Sequence, residues 1–339
     1  MAGGPSTPEL AAAVSNAGGL GFLAAGYLST DALHHQIAAT RALTAAPIGV
    51  NLFVPGLRRP APGVVAAYAA ALAVDASRAG IELGQARYDD DAWDAKLTLL
   101  DASPLPVTSF TFGCPQPSVI RAVQGAGSEV WVTVTTPAEA EQAATAGADV
   151  LVVQGCEAGA HRGSFNDSPA EETADGIGLL SLLQLVRART DKPVVAAGGI
   201  TTGAGVAGVL SAGAHAAQLG TAFLRTPEAG TAQVHRDAIA RPGQTAMTRA
   251  FTGRLARGIR NQFLDEHSRG APAAYPEVHY LTAPLRAAGR STGDADLVNL
   301  WAGQTHELSR ELPAAELVTL LASEARTGLA AAAARLSRS

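Results

Sequence analysis

Strand-like and helix-like segments alternate through the first two thirds of this 339-residue chain, and that alternation most limits how it can fold. Short runs of β-branched or small residues at 19–25, 47–54, 107–113, 129–135, 149–153, 192–197 and 214–219 read as strands. Helical patterns occupy 7–17, 30–45, 64–79, 117–125, a segment opening at Thr136, 177–190 and 203–212. Strands separated by helices pair in parallel, because each return to the same end of the sheet needs a long crossover. The boundaries carry their own chemistry. Thr136-Pro137-Ala138-Glu139 supplies a capping hydroxyl, a proline in the first turn and a carboxylate that reaches back, and Gly147 stops the helix.

Seven strands are one short of a closed barrel. The helix capped by Thr7, with Pro8 next, has no strand before it. The expected fold is therefore α/β: a (β/α)8 TIM barrel over residues 1–225 with its first strand truncated or missing. About ten upstream residues would complete it; a naturally short start with a distorted first strand is the alternative. After Arg225 the rhythm fails. Residues 245–252 read as one more strand and 271–339 as mostly helical, so 226–339 should form a smaller, mainly helical cap over the barrel mouth, with its late helices packing back on the body.

A hydrophobic content of 47% is enough for a large core, and 16% charged residues argue against disorder. The net charge of −5 gives no general attraction to nucleic acid or anionic membrane. Two cysteines, Cys114 and Cys156, rule out a disulfide scaffold and fit a reducing compartment. Residues 10–28 imitate a signal sequence but lack a preceding Lys or Arg and are broken by Gly18-Gly19. A cytoplasmic protein without membrane spans is expected.

Chemistry concentrates at 149–163. The buried-strand pattern of 149–153 runs into Gln154, Gly155 and a turn of small residues that contains one imidazole, His161. Small residues allow close approach to something flat, the Gln offers amide hydrogen bonds, and the His titrates near neutral pH. Two later strands end in glycine: Gly198-Gly199 after 194–197, and Gln218-Leu219-Gly220-Thr221. Such tips before helices expose backbone N–H groups to an anion, and barrels often hold phosphate after strands 7 and 8. One such tip alone would equally serve as a tight turn; two in consecutive units favour a phosphate site.

These segments carry a resemblance. Met1-Ala2-Gly3-Gly4 with Thr7-Pro8-Glu9-Leu10, Ala17-Gly18-Gly19-Leu20-Gly21, Val50-Asn51-Leu52-Phe53, residues 154–163, Ala197-Gly198-Gly199-Ile200 and Gln218-Leu219-Gly220-Thr221 occur in the order seen in the nitronate monooxygenases, formerly 2-nitropropane dioxygenases. Trp301-Ala302-Gly303-Gln304 resembles the family's C-terminal part. The resemblance implies an FMN-dependent enzyme. By matching position, Asn51, Gln154 and Gly159 would line the flavin, and Gly198, Gly199, Gln218, Leu219, Gly220 and Thr221 would hold its phosphate end. His161 would be the active-site histidine. Family members usually have Gly where Ala160 stands.

The implied reaction is oxidation of alkyl nitronates, with nitroalkanes as further candidates, by O₂ to a carbonyl compound and nitrite. His161 then has two open roles: neutral, as a general base toward a nitroalkane, or protonated, as an attractor of the nitronate. A surface loop histidine is the plainer alternative. An FMN- and NAD(P)H-dependent enoyl-thioester reductase and a flavin-binding protein without turnover are the rival functions. The partners expected are the small-molecule substrate and O₂, and a homodimer is one admissible assembly. The other histidines are assigned no chemistry, no metal site is expected, both cysteines read as structural, and Arg254, Arg257 and Arg260 read as a charged helical face.

Overall fold

The computed structural model describes residues 1–56, 60–168 and 176–337. Its main sheet has seven parallel strands: β1 (Gly21–Ala24), β2 (Ile48–Phe53), β3 (Val107–Thr111), β4 (Glu129–Val134), β5 (Val150–Gln154), β7 (Val194–Ala197) and β8 (Ala216–Gln218). They lie side by side in chain order. β6 (Ala160–His161) belongs to a second sheet with β9 (Thr245–Thr248) and β10 (Ala256–Ile259), antiparallel in the order β6-β10-β9.

The main sheet curls. Phe22 on β1 and Trp131 on β4 stand three strands apart, roughly 14 Å in a flat sheet, yet their ring centroids are 5.6 Å apart. Alternation along each strand then separates an inner from an outer face. On β5, Leu151 and Val153 join the core beneath the surrounding helices, with Leu182, Leu183 and Val186 of the helix Leu179–Arg187. Val150 and Val152 turn inward beside Val195, Ala197 and Trp131. The seven expected strands are thus all present in a TIM-barrel-like body. Among the described residues, no ladder joins β8 to β1.

Local chemistry sets the helix ends. Thr7 Oγ1 accepts from Leu10 N at 3.0 Å, and Thr136 Oγ1 from Glu139 N at 3.2 Å. Glu139 reaches back one residue beyond the cap, its Oε2 taking Thr135 N at 2.6 Å. Gly147 ends that helix at φ 108°.

Three expectations need correction. The helix expected over 64–79 is two, Val64–Ala71 and Ala73–Arg78, and a further helix Trp93–Ala102 lies in a stretch to which no element is assigned from sequence. The strand expected over 245–252 stops at Thr248. The arginines 254, 257 and 260 do not share a helical face: they lie on or beside β10, and Arg254 and Arg257 are buried. A period of three is also compatible with a strand and its flanks. Burial is sustained because the backbone receives the charge: Arg257 Nε donates to Cys156 O at 3.0 Å and Arg254 Nε to Arg162 O at 3.2 Å.

Beyond β10, the helix Glu277–Thr292 packs Val278, Leu281 and Leu285 with Phe251, Phe263, Tyr68 and Leu72. The last helix, Ala314–Leu336, lies against Gly203–Ser211. A Cβ on Gly203 would sit 2.6 Å from Leu321 O, so only glycine permits that approach.

Candidate active site

β-strand tips define the floor of a cavity of 1140 Å³ at the C-terminal end of the sheet. Asn51, Gln154, Gly159, His161, Gly198, Gly199, Gln218, Leu219, Gly220 and Thr221 all line it. A polar row crosses the tips: Asn51 Nδ2 donates to Ser109 Oγ at 2.8 Å and Thr111 Oγ1 at 3.0 Å, and Thr111 Oγ1 lies 3.2 Å from Thr133 Oγ1. Gln154 uses its amide on the loop beyond it, donating to His161 O at 3.1 Å and accepting from Gly163 N at 2.8 Å. Its amide therefore shapes the turn that carries the histidine.

That turn is pinned on both sides. Ala160 and His161 pair with Arg257 and Ala256 of β10. Gly159 lies so close to Ala302-Gly303 that a Cβ would be 2.4 Å from Gly303 N. Ala160 has φ 64°, in the left-handed region, which is the physical reason a glycine suits this position.

His161 Nε2 lies 2.9 Å from Thr252 Oγ1, whose hydroxyl also reaches Arg254 O at 3.2 Å. When the Thr252 proton goes to Arg254 O, Thr252 accepts from Nε2–H and Nδ1 is the unprotonated ring nitrogen; when it goes to Nε2, the tautomer is the reverse. Phe112, Tyr275 and Trp301 surround the imidazole, with ring centroids 5.6, 5.7 and 5.7 Å away. Burial, then the guanidinium groups of Arg254 and Arg286, push its pKa down to about 3. His161 is neutral at physiological pH.

A second polar cluster flanks it. Tyr27 stacks on His279 at 4.1 Å, and Tyr275 Oη donates to Tyr27 Oη at 3.1 Å. Tyr27 has φ 69° and is held there by Asp91, whose Oδ1 accepts Tyr27 N at 2.8 Å. Asp91 Oδ2 is 2.8 Å from Lys96 Nζ, which is buried and also donates to Ala25 O at 3.0 Å. Burial lowers His279 to about 2 and raises Tyr27 to about 12. No Asp or Glu lines the cavity among the described residues, whereas His161, His235, His279, Arg286 and Arg290 do.

The glycine tips behave differently from a pair of open helix starts. Gly203 N, opening the helix after β7, already donates to Glu324 Oε2 at 3.0 Å, and Thr202 Oγ1 takes Gly205 N. The strand β8 leads into a short 3-10 turn, Thr221–Phe223. Open donors remain at the tips themselves: among the described residues, no hydrogen bond occupies the N–H of Gly199, Gly220 or Thr221, all three of which line the cavity. Gly303 N bonds Thr221 Oγ1 at 3.0 Å and Thr305 Oγ1 bonds Gly199 O at 2.9 Å, so the 301–305 segment braces both tips.

Sequence reasoning missed Tyr27, Phe112, Tyr275, His279 and Arg286. Trp301 lies in a segment that resembles the family without a role of its own, and His279 is among the histidines assigned no chemistry. Cys114 and Cys156 agree with a structural reading, since burial raises both thiols, Cys114 to about 11.

Comparison with known proteins places this geometry. The family model described as nitronate monooxygenase matches residues 1–324. A nitronate monooxygenase of Pseudomonas aeruginosa is 41% identical, covering 95% of this chain and 94% of its own. A probable nitronate monooxygenase of Staphylococcus aureus is 36% identical over 93% and 90%. The solved structure of a nitroalkane oxidase from Streptomyces ansochromogenes shares 52% identity with a TM-score of 0.95, covering 98% of this chain and 95% of that one. FabK from Thermotoga maritima is more distant, at 25% identity, a TM-score of 0.77 and coverage of 99% and 93%. The chain belongs to the nitronate monooxygenase family, a family of oxidoreductases.

Proposed function

We propose that this protein oxidises alkyl nitronates with O₂, giving a carbonyl compound and nitrite, with FMN as its cofactor. The observation that carries this reading is the cavity itself: a neutral imidazole, two arginines and no carboxylate among its described lining residues. Such a lining suits an anionic substrate and repels none of its charge. An imidazole held near pKa 3 is a weak base at neutral pH, so a substrate that arrives already ionised suits the site better than one that His161 must deprotonate. A nitroalkane would draw on His161 as proton acceptor.

FMN fits the residues present. The cavity exceeds the ~300–1,000 Å³ of ordinary ligand pockets, leaving space for a second molecule. The N–H groups of Gly199, Gly220 and Thr221 would take the phosphate, and Asn51, Gln154 and Gly159 would border the ring system. When bound, the flavin supplies the electron transfer between nitronate and O₂. The chain's own work is to hold the nitronate beside the aromatic wall of Phe112, Tyr275 and Trp301, to shield it from water, and to keep His161 neutral. In this reading residues 1–225 are the cofactor-binding body and 226–339 the segment that closes over it.

The test is the absorption spectrum of purified protein with FMN, before and after anaerobic nitronate addition. Bleaching by nitronate and recovery with O₂ and nitrite release are expected. Protein that stays colourless in excess FMN, or whose flavin bleaches rapidly with NADPH alone, would overturn the reading.

A further inference from the structure

The helix Glu277–Thr292 turns His279, Ala283, Arg286 and Arg290 toward the cavity. Their spacing of four, three and four residues is one helical stripe. Arg290 is exposed at its outer end and Arg286 buried at 6% exposure. Arg286 Nε donates to Thr282 Oγ1 at 3.2 Å and Nη2 to His279 O at 2.6 Å. Its third nitrogen, Nη1, has no hydrogen-bond partner among the described residues, and no described carboxylate pairs with the group. A buried guanidinium so arranged leaves a charge unmatched within the chain.

We propose that Arg286 is the anchor for the substrate's anionic group and makes the site select a nitronate over its neutral parent nitroalkane. This rests on the function proposed above. A nitronate spreads its charge over two oxygens on one nitrogen, a flat fork that a guanidinium meets through parallel N–H donors. A neutral nitroalkane offers the same shape without the charge and leaves Arg286 uncompensated, and sites built for a charged partner discriminate strongly against an uncharged one. Arg286 also lies within electrostatic reach of His161, which places the bound anion next to the imidazole. Arg290, further out on the same stripe, draws the anion toward the mouth.

Full-length protein loaded with FMN, in Arg286→Gln and Arg286→Lys forms, tests this. Arg286→Gln keeps donors for His279 O and Thr282 but removes the charge. It should raise KM for an alkyl nitronate roughly 10- to 100-fold, the loss expected for one charge-assisted contact. KM for the parent nitroalkane should move by less than about threefold, a shift too small for a lost charge contact. Calorimetric titration with nitrate, a planar oxyanion that does not react, should show binding to wild type and none to Arg286→Gln. FMN affinity measured by absorbance should be unchanged. Equal KM changes for both substrates, or a loss of FMN affinity that would assign Arg286 to the cofactor, overturns the anchor. Should Arg286→Gln fail to fold, Arg286→Lys decides: loss of the fork should still weaken nitronate selectively, and an unaltered ratio refutes it. A wild type that binds nitrate but turns over no nitronate refutes the proposed function while leaving the anchor standing.

Discussion

His161 Nε2 and Thr252 Oγ1 are 2.9 Å apart, and the one hydroxyl proton, within reach of both Nε2 and Arg254 O at 3.2 Å, ties the tautomer of the imidazole to Thr252. His161→Ala should retain FMN and lose nitroalkane oxidation by roughly 10²–10⁴ in kcat, the usual scale for a lost general base. Preformed nitronate should suffer less. Thr252→Val should give an intermediate loss, about tenfold, by freeing the ring. Steady-state kinetics on both substrates checks this, and unaltered nitroalkane turnover in His161→Ala would remove the residue from the chemistry.

Acid should destabilise the fold well above the carboxylate range. His161, His235 and His279 are held neutral, with pKa values of about 3, about 4 and about 2, chiefly by burial. Below the unfolded value of about 6.5 the unfolded chain takes up protons that the folded chain refuses, so stability falls as pH drops from about 6.5 toward 4. Each histidine contributes up to about 1.4 kcal/mol per pH unit in that window and nothing above it. The urea midpoint should drop clearly between pH 7 and 5, less so in His235→Gln. A flat midpoint over that interval contradicts the burial assigned to these rings.

Gly159 is the steric keystone of the site loop. Adding one methyl would drive it into the Ala302-Gly303 backbone, which cannot rotate away as a side chain would. Gly159→Ala should cost about 1–3 kcal/mol, the range for overpacking, and displace the loop that carries His161. Thermal unfolding and FMN titration together measure it; a variant with native melting and native flavin affinity would show that the two segments separate freely.

Lys96 works at a distance. It neutralises Asp91, and Asp91 in turn holds Tyr27 in its left-handed conformation against His279. Lys96→Met leaves a mostly buried carboxylate without its cation, at a cost of roughly 3–5 kcal/mol. Lys96→Met combined with Asp91→Asn should recover much of the stability, and differential scanning calorimetry of the single and double variants measures the coupling.

How much of this was legible beforehand follows from the range of each interaction. Strand placement and helix ends depend on neighbours a few residues apart, so β5 and the Thr136 cap could be read directly from the chain. The glycine tips and His161 were legible because each sits in a short contiguous segment whose residue types betray the backbone. Arg254 was misread for the same reason: its spacing fits a helical face, while its burial depends on carbonyls some 90 residues earlier in the chain. Glu324 on Gly203 N was equally invisible, being 121 residues away.

The sequence by itself determined the parallel sheet, the order of its strands and the loop that bears the histidine, because period, caps and turns are local. Only the tertiary structure decided the state of that histidine and the company it keeps. The wall of Phe112, Tyr275 and Trp301, the Thr252 hydroxyl on Nε2 and the guanidinium of Arg286 come from distant parts of the chain. Burial and charge are properties of what surrounds a residue in space, and no stretch of neighbours in sequence specifies them.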